Sequence, residues 1–192
     1  MAIENLSIAH SDLEIRGGLK YVGVGLLSNV ASVAFADDHQ ATLTSTDDTA
    51  YALFDLKQGT GSLSTSGSKE GGTIMFEHTI SFYVPNCSGA HLKALESMRN
   101  QHLVVVTQDH NETPQQFVVG ISDAYSLDDS TLGNVQMIAT LSSIEGGTGA
   151  ALGDENGVTV TITCMSGELP RICGNTVTVD TSTGAMTVDN PA

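Results

Sequence analysis

Residues 73–84 read Thr73-Ile74-Met75-Phe76-Glu77-His78-Thr79-Ile80-Ser81-Phe82-Tyr83-Val84. Ile74, Phe76, Ile80, Phe82 and Val84 share one parity, and Thr73, Glu77, Thr79 and Ser81 share the other. Successive side chains of a strand point to opposite faces, so this period of two predicts a long half-buried strand. His78 keeps the apolar parity, where a hydrogen-bonded core or interface histidine is expected rather than a catalytic one. The preceding stretch, 59–72, is mostly Gly, Ser and Thr with Lys69 and Glu70 beside a turn, so 61–68 can run back along the strand. Together they predict a hairpin arm over 58–84 whose tip has little to pack against.

Pro85 stops that strand and Ser88 suits a helix N-cap. Leu92, Leu95 and Met98 then recur at threefold spacing, which predicts one helix over 88–100. The continuous apolar run at 103–106 reads as a strand buried on both faces, with 117–121 as its neighbour across a turn at 110–114. Val135, Met137, Ala139 and Leu141 alternate with Gln136, Thr140 and Ser142; Val158, Val160, Ile162 and Cys164 alternate with Thr159, Thr161 and Thr163. These are two more long strands, separated by a glycine-rich loop over 145–157. A small hairpin over 175–189, expected as an outer extension, ends the pattern. The fold expected is a single mostly-β domain over 1–192 with one flanking α-helix, closed as a barrel or packed as a β-sandwich.

Composition agrees with strands and turns, since Ser (19), Thr (21) and Gly (20) together make 60 of the 192 residues. Charged residues are 15% and Trp is absent, so neutral hydroxyls must supply much of the polar surface. Acids outnumber bases 22 to 7, and Arg171 is the only Lys or Arg after Arg99. Adhesion to nucleic acid or to an anionic membrane requires clustered cations, so both are excluded as ordinary roles. The opening Met1-Ala2-Ile3-Glu4-Asn5 has early acids and no basic region, and the apolar stretch at 21–36 is broken by glycines and polar residues. Neither reads as a signal peptide or a membrane span. Three cysteines without a CxxC pair point to a reducing compartment, not to a disulfide framework or a zinc site.

No constellation points to catalysis. The run Gly146-Gly147-Thr148-Gly149-Ala150-Ala151-Leu152-Gly153 lacks the Gly-Lys-Ser/Thr of a P-loop and leads into a strand, not a helix. The six histidines form no i, i+4 pair, and the acid pairs Asp37-Asp38, Asp47-Asp48 and Asp128-Asp129 lack the regularity of a calcium loop. Cys164 continues an inward register and is expected as an inert buried thiol. Cys87, near the helix start, is the one thiol placed for raised reactivity, yet it has no partner base. The reading is therefore of a non-enzyme that needs no cofactor and no metal.

Several segments taken together resemble the major tail tube proteins of long-tailed (siphovirus- or crAss-like) bacteriophages. They are Gly17-Gly18-Leu19-Lys20 leading into an apolar strand; His78-Thr79-Ile80-Ser81-Phe82 ending at Pro85; a helix followed by Val104-Val105-Val106; and Gly149-Ala150-Ala151 running to Asp154, then Gly157-Val158-Thr159-Val160-Thr161-Ile162. The likeness spans roughly residues 17–170 and is one of order and composition. It implies a β-sandwich or half-open barrel with one flanking α-helix, six copies closing a ring by pairing sheet edges, rings stacking into a tube, and viral DNA passing the lumen without specific binding. Tape-measure, tail terminator and baseplate proteins are the other partners implied, and the virion tail, assembled in the bacterial host cytoplasm, is the implied location. Candidate inter-ring or inter-subunit positions are Gln58, Gly59, Gly61, Lys69, Glu70 and Gly71 in the arm, and Gly146, Gly147, Gly149 and Asp154 in the glycine-rich loop. Glu77, Asp180 and Asp189, each on the polar register of its strand, are candidate lumen acids. The alternative is a minor tail or fibre β module binding a host surface glycan or protein, against which the shortage of aromatic platforms weighs.

Overall fold

The computed structural model describes residues 17–36, 38–45, 51–56, 58–70, 72–85, 88–111, 113–121, 138–147 and 156–189. Gly71, Cys87, Gly149, Asp154, Asp37, Asp47, Asp48, Asp128, Asp129 and most of the strand expected from Val135 lie outside the described residues. In chain order the strands are β1 (Leu19–Leu26), β2 (Val30–Phe35), β3 (Gln40–Ser45), β4 (Tyr51–Asp55), β5 (Gly61–Glu70) and β6 (Thr73–Pro85). The helix α1 (Gly89–Ser97) follows, then β7 (Leu103–Asp109), β8 (Gln116–Val119), β9 (Thr140–Gly147), β10 (Gly157–Ser166), β11 (Arg171–Cys173), β12 (Val177–Asp180) and β13 (Ala185–Val188). They form a nine-stranded sheet in the order β12-β13-β4-β1-β7-β8-β11-β3-β2 and a four-stranded sheet in the order β5-β6-β10-β9. This is the mostly-β fold expected, with a curled half-barrel sheet and a second sheet packed in a sandwich-like arrangement.

Chain connectivity requires the curl. Only residues 174–176 join β11 to β12, which sit six strand positions apart in the sheet order. In a flat sheet six spacings would separate them by about 29 Å. The four Cα steps from Cys173 to Val177 reach only about 14 Å, so the two edges must come together. Asn175 holds them there. Its Nδ2 donates to Leu43 O (2.7 Å) and Asp189 O (2.8 Å), and its Oδ1 accepts from Leu43 N (2.7 Å). The Cys173 thiol approaches the same oxygen at 3.9 Å, so this buried amide is used on every side.

The strand read as buried on both faces is so. On β7, Leu103 and Val105 enter one core while Val104 and Val106 enter the other. The first core lies between the sheets, where Phe82 of β6 meets Phe54 of β4 with ring centroids 5.0 Å apart, and where Leu95 and Met98 from the helix end also pack. The second gathers Leu43, Tyr51, Cys173, Met186 and Val188 from strands spread along the sheet order, as the curl demands. Burial of the Tyr51 hydroxyl raises its pKa to about 12.

Three boundaries differ from expectation. Ser88 caps α1, its Oγ accepting from His91 N while His91 Nδ1 accepts from Ser88 N, but the helix ends at Ser97 and Leu92 is exposed. The apolar threefold spacing outlasted the helix because Met98 packs into the core from the C-cap. β9 runs on to Gly147, so Glu145, Gly146 and Gly147 belong to a strand and not to the expected loop. Their backbone groups pair along β10 up to Gly157, which gives glycines with no apolar pattern a place in a ladder. The C-terminal hairpin is the edge of the nine-stranded sheet, not an outer extension, because β13 pairs with β4 and buries Met186 and Val188.

Candidate functional site

The four-stranded sheet has a closed face and an open one. Ile80, Phe82 and Val84 of β6 and Val160, Ile162 and Cys164 of β10 are buried against the core. Burial raises the Cys164 thiol to about 11, which makes it the inert cysteine expected. The other parity faces away from the core, and apart from Gly157, under the Tyr83 ring, none of its described side chains is buried.

Register turns that open face into a grid. Ser64, Thr79, Thr163 and Thr140 form one row across the four strands, and Ser62, Ser81, Thr161 and Ser143 form the next. Two complete rows therefore carry a hydroxyl at every position. Glu77 lies between Ser66 and Met165 nearer the arm tip, and Glu145 lies beside Thr159 and Tyr83 nearer the other end. The Tyr83 ring leans over Gly157, where a Cβ would come within 2.5 Å of the phenol oxygen, so glycine is required there. No Lys or Arg occupies the open face of these strands.

Both outer strands of this sheet have a single neighbour among the described residues, β6 for β5 and β10 for β9. At each edge the core-side parity ends in an apolar residue: Leu63, half-buried, on β5, and Ile144, 44% exposed, on β9.

Other expected site residues are scattered. Gln58 and Gly59 are exposed in the turn before β5, Gly61 is buried at its start, and Lys69 is exposed near the tip, paired with Ile74. Glu70 pairs with Thr73 at the end of the arm, and Gly72 completes the turn with a φ of +97° that favours glycine. The arm is as expected, down to its exposed tip, where Ile74 is 51% accessible. Of the three acids expected to face a lumen, only Glu77 is on the open face. Asp180 and Asp189 belong to the hairpin of the other sheet, where Asp180 accepts from Ser182 N (2.9 Å), Ser182 Oγ (2.6 Å) and Thr183 N (3.3 Å), bonds that draw its pKa down to about 2. Glu145 was missed as a partner of Glu77 because its Glu-Gly-Gly context reads as loop.

Among the described residues no group of three or more His, Cys, Asp or Glu could hold a metal ion, and no helix is long and apolar enough to cross a membrane. Comparison with protein-family models, curated proteins and solved structures finds no match for this chain.

Proposed function

We propose that this chain is a structural virion protein, a tail tube subunit of a long-tailed bacteriophage that closes rings through the edges of its four-stranded sheet. The open hydroxyl face carries the proposal. A wall of Ser and Thr with Glu77 and Glu145 and no cation offers a polyanion few of the contacts that hold phosphate, so duplex DNA would slide past it.

Strand count supports the ring. Each neighbouring pair of the four strands is antiparallel, so β5 and β9 run in opposite directions. A β9 edge can therefore meet the β5 edge of a second copy as an ordinary antiparallel pair, which is a head-to-tail contact able to close. Ile144 would then pack beside Leu63 of the next copy, continuing the inter-sheet core around the ring. Six copies would give 24 strands and a barrel roughly 37 Å across between backbones at the usual strand spacing, wide enough for a duplex.

The test is size-exclusion chromatography with light scattering over a concentration series, followed by negative-stain electron microscopy. Rings or stacked tubes with a central channel are expected for the wild type. The variant Ile144→Lys puts a charge on an already exposed edge position and should keep the fold while remaining monomeric. A wild type that stays monomeric throughout and binds a host glycan would overturn the reading in favour of a fibre module.

A further inference from the structure

His78 is 2% exposed on the core-side parity of the arm, opposite Thr65 on β5 and Cys164 on β10. Both ring nitrogens have partners: Thr65 Oγ1 lies 3.0 Å from Nδ1, and the backbone oxygen of Glu168 lies 2.9 Å from Nε2. A carbonyl can only accept, so Nε2 carries a proton, and in the neutral ring Nδ1 accepts from the Thr65 hydroxyl. The ring bonds the arm to the connector between β10 and β11. That connector is tied to the half-barrel in turn. Glu168 N donates to Ser166 Oγ (3.2 Å), and the Glu168 carboxylate accepts from Arg171 Nη2 (2.6 Å) and Nε (3.2 Å). Arg171 is 8% exposed at the start of β11, with its guanidinium 4.6 Å from the centroid of the Phe35 ring on β2.

We propose that His78 and the 167–170 connector form a pH-released strut, which fixes the hairpin arm to the half-barrel while the imidazole is neutral. Protonation would put a charge on a ring almost wholly removed from water. It would also convert Nδ1 from acceptor to donor, so the Thr65 hydroxyl would have to turn and accept, and the unfavourable change is the burial of the charge itself. The groups facing the ring are Cys164 on β10, whose thiol is uncharged, Glu168 with Arg171 on the connector, and Thr65 on β5, which is not titratable. The Glu168 carboxylate favours the imidazolium but is already engaged by Arg171. Burial outweighs it, and the His78 pKa is lowered from its ordinary value.

The sign follows. A histidine whose folded pKa lies below its unfolded value contributes its full share of stability above the unfolded pKa and loses it as pH falls towards the folded one. The arm should therefore be firm at neutral pH and loosen in acid. The consequence for assembly, an arm that no longer reaches a neighbouring copy, rests on the tail tube reading. The strut itself does not, and it is measured in dilute protein without assembly.

Amide hydrogen exchange, expressed as protection factors, is compared at about pH 7.5 and about pH 4.5, on either side of a lowered histidine pKa. Protection over 62–69 and 74–79 should fall at least about tenfold in acid, equivalent to about 1.4 kcal/mol, with protection in β7 and β8 unchanged. His78→Gln can donate to Glu168 O and accept from Thr65 without titrating, and should keep arm protection at both pH values. Should that variant not fold, the His78 imidazole of the wild type, followed by NMR over the same pH range, should titrate at the midpoint of arm loosening. Equal wild-type protection at the two pH values overturns the strut, as does a pH response that persists in His78→Gln or a His78 titration that does not coincide with arm loosening. Rings that form normally beside an unresponsive arm would sink the strut alone, whereas a responsive arm in a chain that never assembles would sink the tube alone.

Discussion

In the half-barrel, β7 buries Leu103 and Val105 in one core and Val104 and Val106 in the other, while in the four-stranded sheet the buried side chains of β6 and β10 share one parity. Both sheets end in outer strands with a single neighbour among the described residues, β2 and β12 in one and β5 and β9 in the other. Only the half-barrel curls so that Asn175 ties Leu43 to Asp189. A strand such as β7, with both faces buried, has no surface left for a partner. The hydroxyl face and edges of the four-stranded sheet are where the proposed association would occur, with the half-barrel as its support.

The comparison can be broken in graded steps. Phe82 is fully buried between the sheets against Phe54, so Phe82→Ala should cost about 3–5 kcal/mol, read as a lowered midpoint of denaturant unfolding. Asn175→Ala leaves Leu43 N, Leu43 O and Asp189 O without their side-chain partner, at a cost of about 2–4 kcal/mol. Exchange should rise first in β3 and β13 rather than in the arm. Should exchange rise evenly across both sheets, Asn175 is not a local clasp. On the open face, Thr161→Val should change the unfolding free energy by less than about 0.5 kcal/mol, because a half-exposed hydroxyl is already solvated. A cost as large as that of Asn175→Ala would mean that the open face is structural.

The smallest effect is expected at Asp180, which is fully exposed and bonded to Ser182 and Thr183 with a pKa near 2. A depressed carboxyl pKa gives stability that is present above the unfolded value near 4 and lost as pH falls towards 2. Thermal midpoints of wild type and Asp180→Asn should differ slightly at neutral pH and converge in acid. Divergence in acid would contradict the turn bonds as the cause.

Much of this was legible in the sequence where period and burial coincide. The alternation at 73–84 and 158–164 gave strands with the right faces, and four apolar residues in a row at 103–106 gave a strand with two cores. What escaped was whatever depends on a distant partner. Asn175 gains its meaning from Leu43, 132 residues away, and no local pattern marks it. Gly146 and Gly147 carry no apolar signal, so the end of β9 from Glu145 on reads as loop, and only its pairing with β10 makes it a strand. At the candidate site Glu77 could be placed because its own strand was strongly periodic. Glu145 and the edge residue Ile144 became visible only through register.

The most direct measurement is hydrogen exchange of the wild type across a dilution series spanning assembly. The account predicts that amides of 61–70 and 140–147 gain protection together as concentration rises, while those of 103–109 stay constant. Assembly that leaves both edge strands unprotected, or that protects the half-barrel instead, would contradict it.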